Sequence, residues 1–334
     1  MKKRLLKILL SLTGIVILGL ITLIGYLKIM LPDVGPAPDM KVEITPERVE
    51  RGHYLAHHVM MCMDCHSQRN YSLFSAPLIP HTLGQGGEVF DQSMGLPGKF
   101  VAPNITPQNL AGWTDGEIFR AITSGVSKDG RALFPIMPYP NYGQMDEEDI
   151  KSVIAYLRTL EPIEHKVELS KPDFPVNIII STIPKKAILG QMPAKSDLIS
   201  YGKYMTTAAS CADCHTLMGP DGPLGKPYAG GLEFHLPDGS VIRSANITPH
   251  PATGIGSWTE EQFVARFKAY ADSSFIAPKV GPDDFKTVMP WTLYGHMDDD
   301  DLKAIYAYLK SLSPAENPIV RFSPPGSATQ LAGK

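Results

Sequence analysis

The feature that most constrains this chain is an internal repeat, because most of its 334 residues follow one pattern that occurs twice. The paired motifs keep their order, and their offset ranges only from 142 positions (104 to 246) to 152 positions (137 to 289). Two copies at this spacing indicate duplicated domains rather than a solenoid of short repeats. We place the first repeat at 46–161, a linker at 162–196, the second repeat at 197–313 and a tail at 314–334. The clearest pairs are Arg51-Gly52-His53-Tyr54 with Tyr201-Gly202-Lys203-Tyr204, Cys62-Met63-Asp64-Cys65-His66 with Cys211-Ala212-Asp213-Cys214-His215, Asn104-Ile105-Thr106-Pro107 with Asn246-Ile247-Thr248-Pro249, Trp113-Thr114 with Trp258-Thr259, Met137-Pro138-Tyr139 with Met289-Pro290-Trp291, and Tyr142-Gly143 with Tyr294-Gly295.

Helical signals dominate both repeats. Capping-box spacing occurs at the same place in each, with Thr114 and Glu117 in the first and Thr259 and Gln262 in the second. The last helix of each repeat follows an acidic cluster and carries apolar residues at helical spacing. The sequence therefore predicts a mainly α protein with two tandem domains.

The segments between helices are rich in glycine and proline, with 29 Gly and 30 Pro in the chain. Pro237-Asp238-Gly239 lies in the middle of a segment from Phe234 to Arg243 that has the pattern of a short hairpin. The linker carries five prolines and no repeated motif, and we expect its residues 176–183 to pack across both domains.

The first thirty residues differ from the rest in charge. They contain five of the 31 basic residues and none of the 34 acidic ones, which leaves 26 and 34, or −8, for the rest. Residues 8–27 carry no charge, and a helix of this length rises about 30 Å, the thickness of a bilayer core. We predict an uncleaved signal anchor over 1–31, with its basic end in the cytoplasm and the remaining domains on the periplasmic side of a bacterial cytoplasmic membrane. A cleaved signal peptide is the alternative, although its apolar region is usually only about 7–15 residues long.

All four cysteines lie in two Cys-x-x-Cys-His motifs. Two thiols three positions apart share a helical turn and can form thioethers to both vinyl groups of one haem, while the adjacent histidine faces the iron. A thioredoxin-like motif needs a βαβ setting, a zinc site needs cysteine pairs closer in sequence, and disulfides leave the histidine unexplained. The sequence therefore predicts two covalently bound haem c groups, held by Cys62, Cys65 and His66 and by Cys211, Cys214 and His215.

The repeat also selects candidates for the sixth iron ligand, which is methionine in many cytochromes c. Of 14 methionines, only Met137 with Met289 and Met145 with Met297 recur in register after the Cys motifs. The first pair lies in Met-Pro-aromatic loops, whereas the second precedes a helix N-cap, where methionine serves as a hydrophobic staple. We predict Met137 and Met289 as ligands. Ligation by a second histidine is the weaker alternative, since no histidine outside the Cys motifs recurs in register.

Other repeated residues allow two interpretations. The repeated tryptophans either contact haem edges or belong to the core. The repeated asparagines either hold the loop around the haem or form Asx turns. The repeated tyrosines either approach haem propionates or simply pack in the core. We interpret the acidic runs as helix N-terminal charges rather than a metal site. These residues are Trp113 and Trp258, Asn104 and Asn246, Tyr142 and Tyr294, and the runs 146–149 and 298–301.

Each repeat resembles a class I cytochrome c domain. The order Cys-x-x-Cys-His, Asn-Ile-Thr-Pro, Trp-Thr, Met-Pro-aromatic and Tyr-Gly is similar to that in the cytochrome subunits of membrane-bound alcohol and gluconate dehydrogenases. Those subunits typically carry three haem motifs, whereas this chain has two. The resemblance implies haem attachment through Cys62, Cys65, Cys211 and Cys214, with His66, Met137, His215 and Met289 as axial ligands.

These observations together predict an electron carrier rather than an enzyme acting on its own. We expect a membrane-anchored dihaem cytochrome c between a respiratory donor, such as a dehydrogenase, and an acceptor, such as a quinone pool or a terminal oxidase. The net charge of −3 excludes a strongly basic nucleic-acid binder. The alternative is a dihaem enzyme, such as a peroxidase or a thiosulfate-oxidising cytochrome, but such an enzyme needs an open iron or an unusual ligand at one haem. A structural or sensory haem module is a third hypothesis.

Overall fold

The computed structural model describes residues 2–219 and 222–327, so the last seven residues of the predicted tail lie outside the described part. The first repeat contains α2 (Pro46–Tyr54), α3 (Cys62–Cys65), β1 (Val89–Phe90), β2 (Gly98–Val101), α4 (Pro107–Leu110), α5 (Asp115–Ser124), α6 (Tyr139–Tyr142) and α7 (Glu147–Thr159), and it is preceded by α1 (Lys2–Ile29). The linker contains β3 (Lys171–Pro172) and α8 (Val176–Ile179), with a 3-10 turn at Ile180–Thr182. The second repeat contains α9 (Leu198–Ala208), α10 (Cys211–His215), β4 (Met218–Gly219), β5 (Gly222–Pro223), β6 (Glu233–His235), β7 (Val241–Arg243), α11 (Glu260–Lys268), α12 (Trp291–Tyr294) and α13 (Asp299–Ser311), and β8 (Phe322–Ser323) lies in the tail.

Helix α1 is long and apolar enough to cross a membrane, by length and composition. In the most apolar 18-residue stretch of α1, no residue is buried against the rest of the protein. A core helix of a water-soluble protein would bury such a face, so α1 is not a core helix of the described structure, and its length and composition suit either a membrane anchor or a signal sequence.

The first and last helices of each repeat cross at a glycine. Helix α2 packs against α7, and α9 packs against α13. A Cβ atom on Gly52 would lie 1.9 Å from the carbonyl oxygen of Ser152, and one on Gly202 would lie 1.9 Å from that of Ala304. The repeated glycine therefore lets two helix backbones touch, and the apolar faces of α7 and α13 form the cores around this contact.

Several local predictions are confirmed. Both capping boxes are present, at the N-termini of α5 and α11. Asp146 caps α7 through its carboxylate, which accepts from the N–H of Glu148, and Asp298 occupies the same position before α13. The predicted hairpin is formed by β6 and β7, with Gly239 in the left-handed region at φ 84°.

Each repeat also contains a three-stranded antiparallel sheet that the sequence did not predict. In the first repeat the order is β1-β2-β3, and in the second it is β6-β7-β8. The third strand comes from the chain that follows the last helix of the repeat, namely the linker in one case and the tail in the other. The linker helix α8 and the 3-10 turn after it pack mainly against α1 and β3. The expectation that residues 176–183 pack across both repeats was therefore wrong.

The two repeats face each other through reciprocal hydrogen bonds. The hydroxyl of Tyr54 donates to Asp301 at 2.6 Å, and the hydroxyl of Tyr204 donates to Asp149 at 2.6 Å. Each tyrosine oxygen also accepts the N–H of the residue that caps the partner helix. Because both aspartates are buried, these bonds fix the relative orientation of the two repeats.

Candidate haem-binding site

A continuous cavity of about 1170 Å³ extends through both repeats. Ligand pockets usually have about 300–1000 Å³, so this cavity is large enough for more than one ordinary ligand. The structure places all eight residues that the sequence singled out on its lining: Cys62, Cys65, His66 and Met137 from the first repeat, and Cys211, Cys214, His215 and Met289 from the second.

A left-handed residue precedes each short cysteine helix. Met61 has φ 60° before α3, and Ser210 has φ 53° before α10. Such values are uncommon outside glycine, and here they turn the chain so that both cysteines of each motif reach the cavity. Tyr142 and Tyr294 brace these turns, because their hydroxyls donate to the carbonyl oxygens of Met60 and Ala209. The repeated tyrosines thus pack and hydrogen-bond to backbone.

The thiols are neutral in this environment. Burial raises the pKa of Cys62, Cys65 and Cys211 to about 12. A structural zinc site takes four ligands, and no group of three or more metal-ligating side chains occurs among the described residues. The donor set fits thioether attachment better than it fits zinc.

The two histidines that follow the cysteines have the same orientation. The Nδ1 atom of His66 lies 2.8 Å from the carbonyl oxygen of Pro103, and that of His215 lies 2.7 Å from the carbonyl oxygen of Ala245. A carbonyl only accepts, so the proton sits on Nδ1 and Nε2 keeps its lone pair for a metal. Burial lowers the pKa of both imidazoles, which keeps them neutral and able to ligate iron.

The repeated asparagines hold the loops that supply these carbonyls. The side-chain oxygen of Asn104 accepts from the N–H two residues on at 2.8 Å, and that of Asn246 does so at 2.9 Å. These are Asx turns. Their amide groups also donate to the carbonyl oxygens of Ile163 and Ala315, in the chain after the last helix of each repeat. The asparagines therefore tie together the loop and the following segment.

The two candidate methionine pairs occupy different places. Met137 and Met289 lie on the cavity lining, and the peptide N–H two residues on donates to each of their carbonyl oxygens, at 2.7 and 2.8 Å. Met145 and Met297 are each only 1% exposed in the core and do not line the cavity. Trp113 and Trp258 line the cavity while packing against the core, so their two interpretations overlap.

The surroundings of the two cysteine motifs differ in charge, which the repeat did not predict. In the first, the guanidinium of Arg69 donates to both oxygens of Asp64, and Tyr71 donates to Glu88. Burial raises the pKa of Glu88 to about 7. In the second, Met218 stands three residues after the motif, where the first has arginine.

The equivalent carboxylate in the second repeat has a neutral partner. Asp213 accepts from the side-chain amide of Asn141, at 2.9 Å, across the contact between the repeats. Burial raises the pKa of Asp213. The second motif lacks an arginine three residues on, but Arg243, Arg266 and Arg321 line the second half of the cavity. The two halves of the cavity are therefore electrostatically unequal.

Four of the eight histidines outside the cysteine motifs, His53, His57, His58 and His296, lie together where the repeats meet, whereas His165 lines the cavity. The rings of His53 and His57 stack with centroids 4.3 Å apart, and those of His58 and His296 lie 5.2 Å apart. Burial lowers the pKa of His57 to about 3 and that of His58 to about 4. These four rings therefore pack as neutral groups in the contact between the repeats.

Comparison with known proteins identifies the second repeat. The cytochrome c family model matches residues 199–313. The chain is 29% identical to a fructose dehydrogenase cytochrome subunit of Gluconobacter japonicus, over 79% of this chain and 52% of that protein. It is 30% identical to an alcohol dehydrogenase (quinone) cytochrome c subunit of Komagataeibacter europaeus, over 65% and 48%, and 27% identical to a dihaem cytochrome c of Cereibacter sphaeroides, over 76% and 83%.

The chain spans only about half the length of the two dehydrogenase subunits that it matches. The similarity extends well beyond the segment matched by the family model, since it covers 79% of the chain in the fructose dehydrogenase subunit. The chain therefore contains a cytochrome c domain and is a relative of the cytochrome c subunits of fructose and alcohol dehydrogenases.

Proposed function

We propose that both repeats are cytochrome c domains and that the chain binds two haem c groups covalently. The observation that carries this proposal is the equivalent placement of the cysteine, histidine and methionine side chains on one cavity, with both imidazoles oriented by a backbone carbonyl. A chance repeat of sequence letters would not reproduce the same hydrogen bond on the same ring nitrogen.

Different residues attach each haem and ligate its iron. Cys62 and Cys65 attach the first and Cys211 and Cys214 the second, while His66 and His215 ligate through Nε2. Met137 and Met289 supply the sixth ligand. Bound haem would supply one-electron redox chemistry at these sites. With a histidine and a methionine on the lining in both repeats, each haem would have two protein ligands. A peroxidase or a thiosulfate-oxidising enzyme would need an open or unusual position at one haem, so it is the less favoured proposal.

The chain would act as an electron carrier between other proteins. Several of its relatives are named as subunits of dehydrogenases, which supports a dehydrogenase as the donor; the acceptor would be a quinone pool or a terminal oxidase. Helix α1 would anchor the chain in the cytoplasmic membrane, with the repeats on the periplasmic side. Anchoring would raise the effective concentration of the carrier near membrane partners.

The unequal charges around the two sites would separate their reduction potentials. Arg69 is paired with Asp64 and does not line the cavity. The charged residues on the first half of the lining are three basic and three acidic side chains, namely Lys128, Arg131, Lys166, Asp64, Asp129 and Glu168. The second half of the lining has Asp213 but three arginines, namely Arg243, Arg266 and Arg321, and cations next to a haem favour the more electron-rich state. Two distinct potentials would give electron transfer between the haems a preferred direction.

Native purification from membranes tests the proposed function. If a quinoprotein or flavin dehydrogenase co-purifies and its substrate reduces both haems, the proposal is supported. If only an oxidase or a quinol-oxidising complex is recovered, the dehydrogenase donor is wrong. The matched control is a chain with His215→Ala, which should still co-purify but should lose the normal spectrum of one haem only.

A further inference from the structure

The linker exposes apolar side chains that the cytochrome sites do not explain. We call residues 174–188 the linker apolar segment. It contains no acidic residue and two lysines, Lys185 and Lys186. Phe174 is 79% exposed and Ile188 is 83% exposed. Ile179, between them in the chain, is 44% exposed, and an exposed apolar stretch of this kind often marks an interaction site.

The position of this segment indicates what it contacts. Helix α8 and the 3-10 turn at Ile180–Thr182 pack against α1. Among the described side chains of α1, only Gly25 and Leu27 are half-buried, and the others are exposed. The contact therefore lies at the C-terminal end of α1, where Tyr26 and Lys28 are the residue types found at a membrane interface.

We propose that the linker apolar segment lies in the outer interface of the membrane, with Phe174 and Ile188 among the lipids and the two lysines at the headgroups. This proposal rests on α1 being a membrane anchor. A lipid surface fits better than a protein partner because the segment is continuous with the end of the anchor. Its charge of +2 also contrasts with the −8 of the chain after residue 30 and suits anionic headgroups.

The consequence is a fixed orientation for the first repeat. Strand β3, directly before the segment, pairs with β2 through Gly98 opposite Pro172 and Lys99 opposite Lys171. The segment is thus joined to the first repeat by backbone hydrogen bonds and to the membrane by its side chains. The first repeat is held at the membrane surface by two attachments, whereas α1 alone would leave it free to tumble.

Carbene labelling from lipids tests this proposal on the native chain. The full-length holoprotein is placed in vesicles of phosphatidylcholine and phosphatidylglycerol that contain a lipid with a diazirine near its glycerol, illuminated, digested and analysed by mass spectrometry. We expect lipid adducts on the peptide with residues 174–188, because interfacial elements lie about 5–10 Å deep in the boundary of headgroups and acyl chains. The peptide with Leu224, which is 69% exposed in the second repeat, is the matched control and should remain unlabelled.

The outcomes separate this proposal from the anchor on which it depends. Adducts on α1 without adducts on 174–188 overturn the proposal. No adducts on α1 would contradict the anchor itself. The double variant Phe174→Asp and Ile188→Asp should lose the segment adducts, down to the level of the Leu224 peptide, while α1 stays labelled and both haem spectra stay unchanged.

Discussion

At the scale of residues, the two methionines on the cavity lining can be tested directly by substitution. Replacing Met289 with alanine removes a sulfur ligand, so one of the two Met–haem signals should disappear from the optical or EPR spectrum while the other stays. Met137→Ala should remove the other signal. The control Met297→Leu alters a methionine that is buried away from the cavity, so both signals should remain. An unchanged spectrum in Met289→Ala would show that another group ligates that iron.

Glu88 gives a prediction for pH. Burial raises its pKa from 4.5 to about 7, so between these values the carboxyl ionises in the unfolded chain before it ionises in the folded one. Its contribution to stability is therefore present below pH 4.5 and lost as pH rises to 7, by at most about 3 kcal/mol. Glu88→Gln should flatten this decline in the free energy of unfolding, measured by urea titration in detergent between pH 5 and pH 8. Exposed Glu164→Gln should keep the decline, and an equal slope in all three proteins would refute the assignment.

The chemical role of a residue could be predicted from the sequence where the spacing of residues within one local motif determines that role. The Cys-x-x-Cys-His motif is local, so the placement of Cys62 and His66 on one short turn follows from the chain itself. The partner of His66 could not be predicted in this way, because Pro103 reaches it only after a loop of more than thirty residues returns. A signal was available, since the residues with the accepting carbonyls, Pro103 and Ala245, directly precede the repeated Asn104 and Asn246. The Asx interpretation of those asparagines is seen in the structure.

At the scale of elements, the helix crossings depend on two glycines. In Gly52→Ala the new Cβ would meet the backbone oxygen of Ser152, which cannot move without shifting α7. We expect a loss of about 1–3 kcal/mol or more in the free energy of unfolding, the usual cost of overpacking. Gly202→Ala should behave in the same way at α13. The exposed Gly225 has nothing closer than 3.9 Å, so Gly225→Ala should be near neutral; equal stability of Gly52→Ala and Gly225→Ala would contradict the crossing.

Elements with strong local signals were predictable, and those built from distant segments were not. The capping boxes at Thr114 and Thr259 and the hairpin around Gly239 are encoded within a few residues. Strands β3 and β8 are two residues long, too short to show an alternating pattern, and they pair with strands about 70 to 80 residues earlier. Only the folded chain brings them together, so the sequence predicted neither sheet in full.

At the scale of the whole molecule, the reciprocal bonds between tyrosine and aspartate hold the repeats together. Tyr54→Phe and Tyr204→Phe each remove a hydrogen bond to a buried carboxylate, worth about 1.5–3 kcal/mol. Combined, they should loosen the contact between the repeats, so that thermal unfolding shows two separate transitions instead of one. Tyr306→Phe is the control, because that hydroxyl donates to Trp258 within the second repeat. A single transition at an unchanged temperature in the double variant would mean that these bonds do not couple the repeats.

The arrangement of the repeats was beyond sequence reasoning for the same physical reason. The repeat predicted two similar units, but Tyr54 and Asp301 are 247 residues apart, and nothing local indicates that they meet. The charge difference between the cysteine motifs also emerges only when Asn141 of the first repeat reaches Asp213 of the second. These contacts between repeats are what make one duplicated pattern into two unequal sites.

The central claim is that one chain carries two covalent haem groups. The most direct test is the mass of the full-length protein, purified from a host that matures c-type cytochromes and measured after denaturation. We predict a mass equal to the polypeptide plus two haems, falling by one haem in Cys62→Ala with Cys65→Ala and by one in Cys211→Ala with Cys214→Ala. A wild-type mass with one haem or none would contradict the account.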